Sequence, residues 1–146
     1  MRATFVPIGG TPPGTRPWGL AIAGLLLAVI GGAAIAQGAS PGRVWILLLL
    51  APVLEEALFR AGLQEALLRI GQAPWAANVL TAIAFGLAHA AMHGSPAAFA
   101  VTVPALGIGM VYGRRRRLSP CIALHAAMNA AWIGWSLGQP AFAFSF

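Results

Sequence analysis

The sequence predicts an all-α protein, a multi-pass transmembrane helical bundle with about five membrane helices. Three observations carry that prediction. Of the 146 residues, 59% are apolar and only 8% are charged. Soluble domains carry about a quarter charged residues, so this chain lacks the polar coat that water demands. The apolar residues fall into long runs, close to the about 20 residues that cross the hydrocarbon core of a bilayer. Gly- and Pro-containing turns separate the runs at helical lengths. High hydrophobicity with low charge also excludes disorder, and the length suits a single domain.

Residues 1–17, with many Gly, Pro and Thr, read as a flexible lead that carries Arg2 and Arg16. Residues 18–36 are apolar and uncharged, long enough to span a bilayer. Ala34-Ile35-Ala36 resembles a signal-peptide cleavage site. The apolar run is long for a signal peptide and the rest of the chain is equally membrane-like, so a retained first helix is expected. Ser40-Pro41-Gly42 breaks the chain within a turn over 37–42. A second helix is expected over 43–69. At about 1.5 Å per residue it exceeds a bilayer's thickness, so its later part, with Gln64, Glu65 and Arg69, is expected at the interface. Further helices are expected over 75–92, 97–112 and 119–137. The turn between the first two of these contains His93, and the arginines at 114–117 precede the last. Residues 139–146 form a short aromatic tail, which leaves 18–138 as one membrane domain.

The net charge of +6 comes from nine arginines, with no lysine and no aspartate in the chain. Aspartyl proteolysis, lysine Schiff-base chemistry and a phosphate-loop lysine are therefore excluded. No basic helix or aromatic RNA-binding pattern appears, so nucleic acid is not an expected partner. The arginines instead orient the chain. With a cytoplasmic N-terminus, Arg2, Arg16, Arg69 and the four arginines at 114–117 all fall inside, and Arg43 alone falls outside. Trp18, Trp45 and Trp75 sit where interface anchors are expected. The single cysteine, Cys121, allows no internal disulfide and reads as small buried filling rather than a nucleophile.

The informative residues are the polar ones inside apolar runs. A charge at mid-bilayer costs about 2.5–3.5 kcal/mol on insertion scales, so such groups normally face a bundle interior and serve a function. The second helix holds Glu55, Glu56 and Arg60; the third holds His89; the fifth holds His125 and Asn129. Glu56 and Arg60 stand four apart, acid first, the favourable order for an ion pair on one face. Glu55 points about 100° away and is left free to act as a base. Gly62, seven positions on, leaves room for another chain to approach. His125 and Asn129 share a face. A Glu and a His can position and deprotonate water, and a second His with an Asn can donate hydrogen bonds to an oxyanion. Straight helices would separate His89 and His125 by more than about 10 Å in depth, so assembly requires a tilt or a break. The structural alternative is that His125 and Asn129 only join helices. A metal held by Glu55, His89 and His125 is conceivable as a catalytic three-ligand site but not favoured, and HExxH is absent. No cofactor is expected.

The three polar patches form three motifs. They read Glu55-Glu56-Ala57-Leu58-Phe59-Arg60, then Phe85-Gly86-Leu87-Ala88-His89, then His125-Ala126-Ala127-Met128-Asn129. In type and order they resemble EExxxR, FxxxH and HxxxN/D of the CPBP family, the intramembrane proteases that process CAAX proteins and bacteriocins, also called Abi proteins. The likeness runs from about Leu54 to Trp132. It implies a membrane-embedded endopeptidase acting on a membrane-anchored protein or peptide. It also implies that Glu55 and His89 activate the water, His125 and Asn129 form the oxyanion site, and Glu56 and Arg60 support them. The chain departs from the family in having Ala61 where a glycine is usual, and about five helices where many members have six to eight. Its small size is like that of members found beside C-terminal sorting-tag systems of the JDVT type, which implies a dedicated substrate and a bacterial inner membrane. Alternatives are a non-catalytic membrane partner protein, of immunity or chaperone-like kind, and a metal-dependent form of the same protease.

Overall fold

The computed structural model describes residues 17–137, with side chains from residue 24 onward. The expected lead through residue 16, the tail at 139–146, Arg2, Arg16 and the ring of Trp18 lie outside the described residues. Within them the chain is all-helical, without a strand. Helix α1 spans Pro17–Ala36. Helix α2 is one continuous rod of five consecutive segments: Pro41–Trp45, Ile46–Leu50, Ala51–Glu56, Ala57–Gln64 and Glu65–Arg69. Helix α3 spans Pro74–His93, a 3₁₀ turn covers Pro96–Val101, α4 spans Thr102–Arg115, and α5 spans Leu118–Leu137. Two stretches, Pro74–His93 and Pro96–Arg115, are long and apolar enough to cross a membrane.

Local chemistry explains where the helices begin and end. Ser40 caps α2, its hydroxyl accepting from the Arg43 amide at 3.2 Å, and Pro41 occupies the first turn. Both are favoured there, so the helix starts two residues before the expected Arg43. Gly71 and Gly94 take left-handed φ of 87° and 59° just past α2 and α3, which glycine does without steric cost. His93 is therefore the last residue of α3 rather than part of a turn. Arg114 and Arg115 extend α4 beyond its expected end at 112, and Arg116 closes it at φ 51°.

Helix α2 departs most from expectation. Its segments Ile46–Leu50 and Ala57–Gln64 are π-helical. A π turn pairs residue i with i+5, is wider than an α turn, and concentrates at functional sites. The short α segment between the two ends on Glu55 and Glu56.

The apolar core is divided among three clusters. Ala34, Val44, Leu48, Ala130 and Ile133 join α1, α2 and α5; Ala82, Phe85 and Ala105 join α3 and α4; Ile108, Tyr112 and Cys121 join α4 and α5. The largest fully buried side chains are mostly polar: Arg60, Gln64, Glu56 and Thr81 head them. Leu54, Leu58, Leu87, Val103 and Trp135 are exposed. A polar centre inside an apolar exterior suits lipid as the surrounding solvent.

Hydrogen bonds across the bundle fix its register. Arg60 Nη2 donates to the Ala105 carbonyl and Gln64 Nε2 to the Gly109 carbonyl, both at 3.0 Å. The numbers rise together, so α2 and α4 run parallel. Gln64 is buried within the bundle, at 1% exposure. Asn78 Nδ2 donates to the Leu106 carbonyl at 3.1 Å. Eight residues further along α3, a Cβ on Gly86 would stand 1.9 Å from Thr102 Oγ1. A Cβ on Gly109 would likewise stand 1.8 Å from Asn78 Oδ1, so α3 and α4 pack closely and antiparallel over this length, and His89 lies on α3 just beyond the Gly86 contact.

Candidate active site

Glu56 is fully buried, and both of its oxygens are engaged. Oε2 accepts from Arg60 Nε at 3.0 Å, the pair expected from their spacing. Oε1 accepts from Nδ1–H of His125 at 2.8 Å. Because Arg60 also reaches α4, this one carboxylate joins α2, α4 and α5. Hydrogen bonds to His125 and the Ala105 carbonyl offset part of the cost of burying this pair, and Arg60 Nη1 is left without a partner.

Glu55, one residue earlier, is partly buried, its side chain 26% exposed. Its Oε2 has no hydrogen-bond partner. It lies 3.6 Å from Nε2 of His125 and 3.9 Å from Nε2 of His89. The second ring is oriented by its own helix: Nδ1–H of His89 donates to the Phe85 carbonyl at 3.1 Å. Phe85 stacks beside His89 with ring centroids 4.3 Å apart and meets His125 edge-on at 5.9 Å. Phe59 packs on Phe85 in turn, at 5.0 Å. One aromatic wedge therefore spaces both imidazoles.

The chemistry follows from which nitrogens are engaged. In both rings Nδ1 carries the proton given to an internal acceptor, so each neutral ring turns the Nε2 lone pair toward Glu55. Separations of 3.6 and 3.9 Å are too long for direct hydrogen bonds and are the kind that a water bridges. A water there can donate to Glu55 and to one imidazole, and accept from the other when that ring is protonated. Among the described residues no three His, Cys, Asp or Glu side chains are gathered at metal-binding geometry.

The structure therefore brings Glu55, His89 and His125 together, with Glu56 and Arg60 behind them. Asn129 makes its hydrogen bond to α2. Its Nδ2 donates to the Leu47 carbonyl in the first π segment at 2.8 Å, which leaves one amide N–H uncommitted. His93 is exposed, its ring 6.0 Å from that of His89. Cys121 is fully buried with Sγ 3.4 Å from the Arg117 carbonyl, the filling role expected for it. Gly62 is exposed, and among the described residues no other helix approaches it: the nearest atom to a Cβ there is the Ala57 carbonyl of its own helix.

Three polar residues that hold the site were not singled out from the sequence. Gln64 follows Glu56 and Arg60 at the same four-residue spacing, a signal that was present. Asn78 is a solitary amide in an apolar helix, also a visible signal. Tyr112 donates to Glu65 at 3.1 Å across 47 residues of sequence, and nothing local announces that contact.

A model of the family described as type II CAAX prenyl endopeptidase Rce1-like matches residues 37–131, well over half of the chain. The match spans Glu55 through Asn129. No curated protein and no solved structure matches the chain.

Proposed function

Since the chain belongs to the Rce1-like family of CAAX prenyl endopeptidases, membrane-embedded proteases of the CPBP group, we propose that it hydrolyses a peptide bond in or near a membrane-anchored segment of its substrate. The observation that carries this reading is the unequal treatment of two neighbouring carboxylates. Glu56 is engaged by the Arg60 guanidinium and His125 Nδ1, while Glu55 presents an oxygen without a hydrogen-bond partner to Nε2 of both His89 and His125. Pairs of titratable groups driven into different environments mark acid–base assignments.

In this reading a water sits between Glu55 Oε2 and Nε2 of His89. Glu55 takes its proton as the water oxygen attacks the peptide carbonyl, then passes that proton to the departing amine. His125, protonated and backed by the Glu56 carboxylate, donates from Nε2 to the oxyanion of the tetrahedral intermediate. The uncommitted N–H of Asn129 is a second donor for that oxyanion. The reaction is of glutamic type, with water as nucleophile and no cofactor. The substrate is a membrane-anchored protein or peptide, for which a C-terminal sorting-tag protein is a fitting trial. Residues 18–138 act as a single catalytic domain of five crossings in a bacterial inner membrane. The N-terminus is cytoplasmic, an orientation supported by the arginines at 114–117.

The test is cleavage of a membrane-anchored peptide in liposomes by wild type and Glu55→Gln, each with and without a strong chelator. Loss of the general base should lower turnover by about 10²–10⁴-fold, and chelator should change nothing. Wild-type turnover in Glu55→Gln would overturn the mechanism. Loss with chelator, restored by metal, would make Glu55, His89 and His125 ligands. A folded wild type that cleaves none of several anchored substrates would favour the partner-protein alternative.

A further inference from the structure

The first π segment of α2 contains a hydrogen-bond deficit. Ala51 gives its N–H to the carbonyl of Ile46, five residues back. By the same rule the Leu47 carbonyl should receive the N–H of residue 52. That residue is Pro52, which has none. With the Ala51 donor already taken, Leu47 is left with a carbonyl that its own helix does not satisfy. In a lipid surrounding no water is at hand, so such a group must find a partner inside the protein. Asn129 is that partner, at 2.8 Å.

The consequence lies on α5. His125 stands one turn before Asn129 and gives Nδ1–H to Glu56. Helix α5 is thus pinned to α2 at two points, Leu47 and Glu56, on either side of a fully buried Pro52. Glu55 lies between the pins. We propose that Pro52 is a positioning residue of the site. By withholding an N–H it makes the Leu47 carbonyl a docking point for Asn129, and this sets the register of α5 that places His125 beside Glu55. The catalytic half of this inference rests on the endopeptidase reading; the coupling between Pro52 and Asn129 does not.

The coupling is tested by a double-mutant cycle on the full chain in detergent, read as thermal unfolding midpoints. In the wild-type background Asn129→Leu strands the Leu47 carbonyl and should lower the midpoint. In a Pro52→Ala background the new N–H at position 52 serves that carbonyl, and Asn129→Leu should shift the midpoint by less than half as much. Equal shifts in the two backgrounds would overturn the proposal. Pro52→Gly restores the same N–H and is the second variant. Loss of folding in both would also overturn it, because an added donor should relieve a deficit.

The positioning role is tested by turnover in liposomes. Pro52→Ala should lower kcat about tenfold or more with KM within about twofold of wild type, since misplacement by about 1 Å can cost 10²-fold. Asn129→Leu should lose no further kcat when Pro52→Ala is added. An unchanged kcat in Pro52→Ala would overturn the positioning role. Full activity in Glu55→Gln would mark failure of the endopeptidase reading instead, and the unfolding cycle would still decide the coupling.

Discussion

At the residue scale, Glu55 and Glu56 diverge because one step along a helix turns a side chain by about 100°. Glu56 turns inward to Arg60 and His125 Nδ1, and Glu55 turns to Nε2 of His125 and His89. Their substitutions should therefore fail differently. Glu56→Gln leaves Arg60 buried without its counter-charge, a change that typically costs about 3–5 kcal/mol. Its unfolding midpoint in detergent should fall far below that of Glu55→Gln, which should stay near wild type. Of these contacts the sequence made legible the Glu56–Arg60 pair, since four-residue spacing dictates it. The bond from His125 to Glu56 was not legible, because 69 residues separate the partners and either ring nitrogen could have faced either acid. The same holds for Asn129, whose residue type announced a hydrogen bond but not the Leu47 carbonyl as its acceptor.

At the element scale, the close packing of α3 against α4 holds the part of α3 that carries His89. It depends on Gly86, where a Cβ would meet Thr102 Oγ1 at 1.9 Å and the Phe99 carbonyl at 3.0 Å. Gly86→Ala should separate the two helices, lower the unfolding midpoint and abolish turnover. Gly107→Ala is the control. Nothing lies within 4 Å of a Cβ there, so the exchange should be neutral or stabilise by up to about 1 kcal/mol through helix propensity. Helix positions were largely readable from apolar runs and Gly or Pro breaks, with ends displaced by up to three residues except at the start of α4, where the first six residues of the stretch are 3₁₀. The π turns were not readable, because periodicity arguments assume 3.6 residues per turn throughout. Pro52, in the middle of an apolar helix, was the one visible sign that α2 could not be regular.

At the scale of the whole molecule, the chain's three carboxylates are distributed sparingly. One serves the site, one holds the centre, and Glu65 ties the ends of α2 and α4 together. It accepts from Arg69 at 3.1 Å, from Tyr112 at 3.1 Å and from Arg116. The Arg69 guanidinium, with Tyr112 and Arg116 adding to it, holds the Glu65 carboxyl below its ordinary value of 4.5. A depressed carboxyl contributes stability above its unfolded value and loses it as pH falls through the folded one. Unfolding midpoints followed downward from neutral pH should therefore drop at and below about pH 4.5. Glu65→Gln should start lower and show less of that drop. Composition alone made the lipid-suited exterior legible, since 8% charge cannot coat a soluble protein. The tie at Glu65 was hidden, because Gln64, Glu65 and Arg69 looked alike as interface residues and only Gln64 turned inward.

That tie also makes the molecule a ruler. Glu65 is fastened to the end of α4, and Glu55 stands ten residues further along the same rod. At about 1.5 Å per residue the Glu55 carboxylate is held at most about 15 Å from the arginine-bearing rim. On the proposed endopeptidase reading, a substrate anchored at that rim would be measured rather than read, its cut set by reach from the anchor more than by the side chains flanking the bond. Inserting one residue between a substrate's rim anchor and its scissile bond should move the cut by one residue and preserve the distance, which mass spectrometry of the products would register.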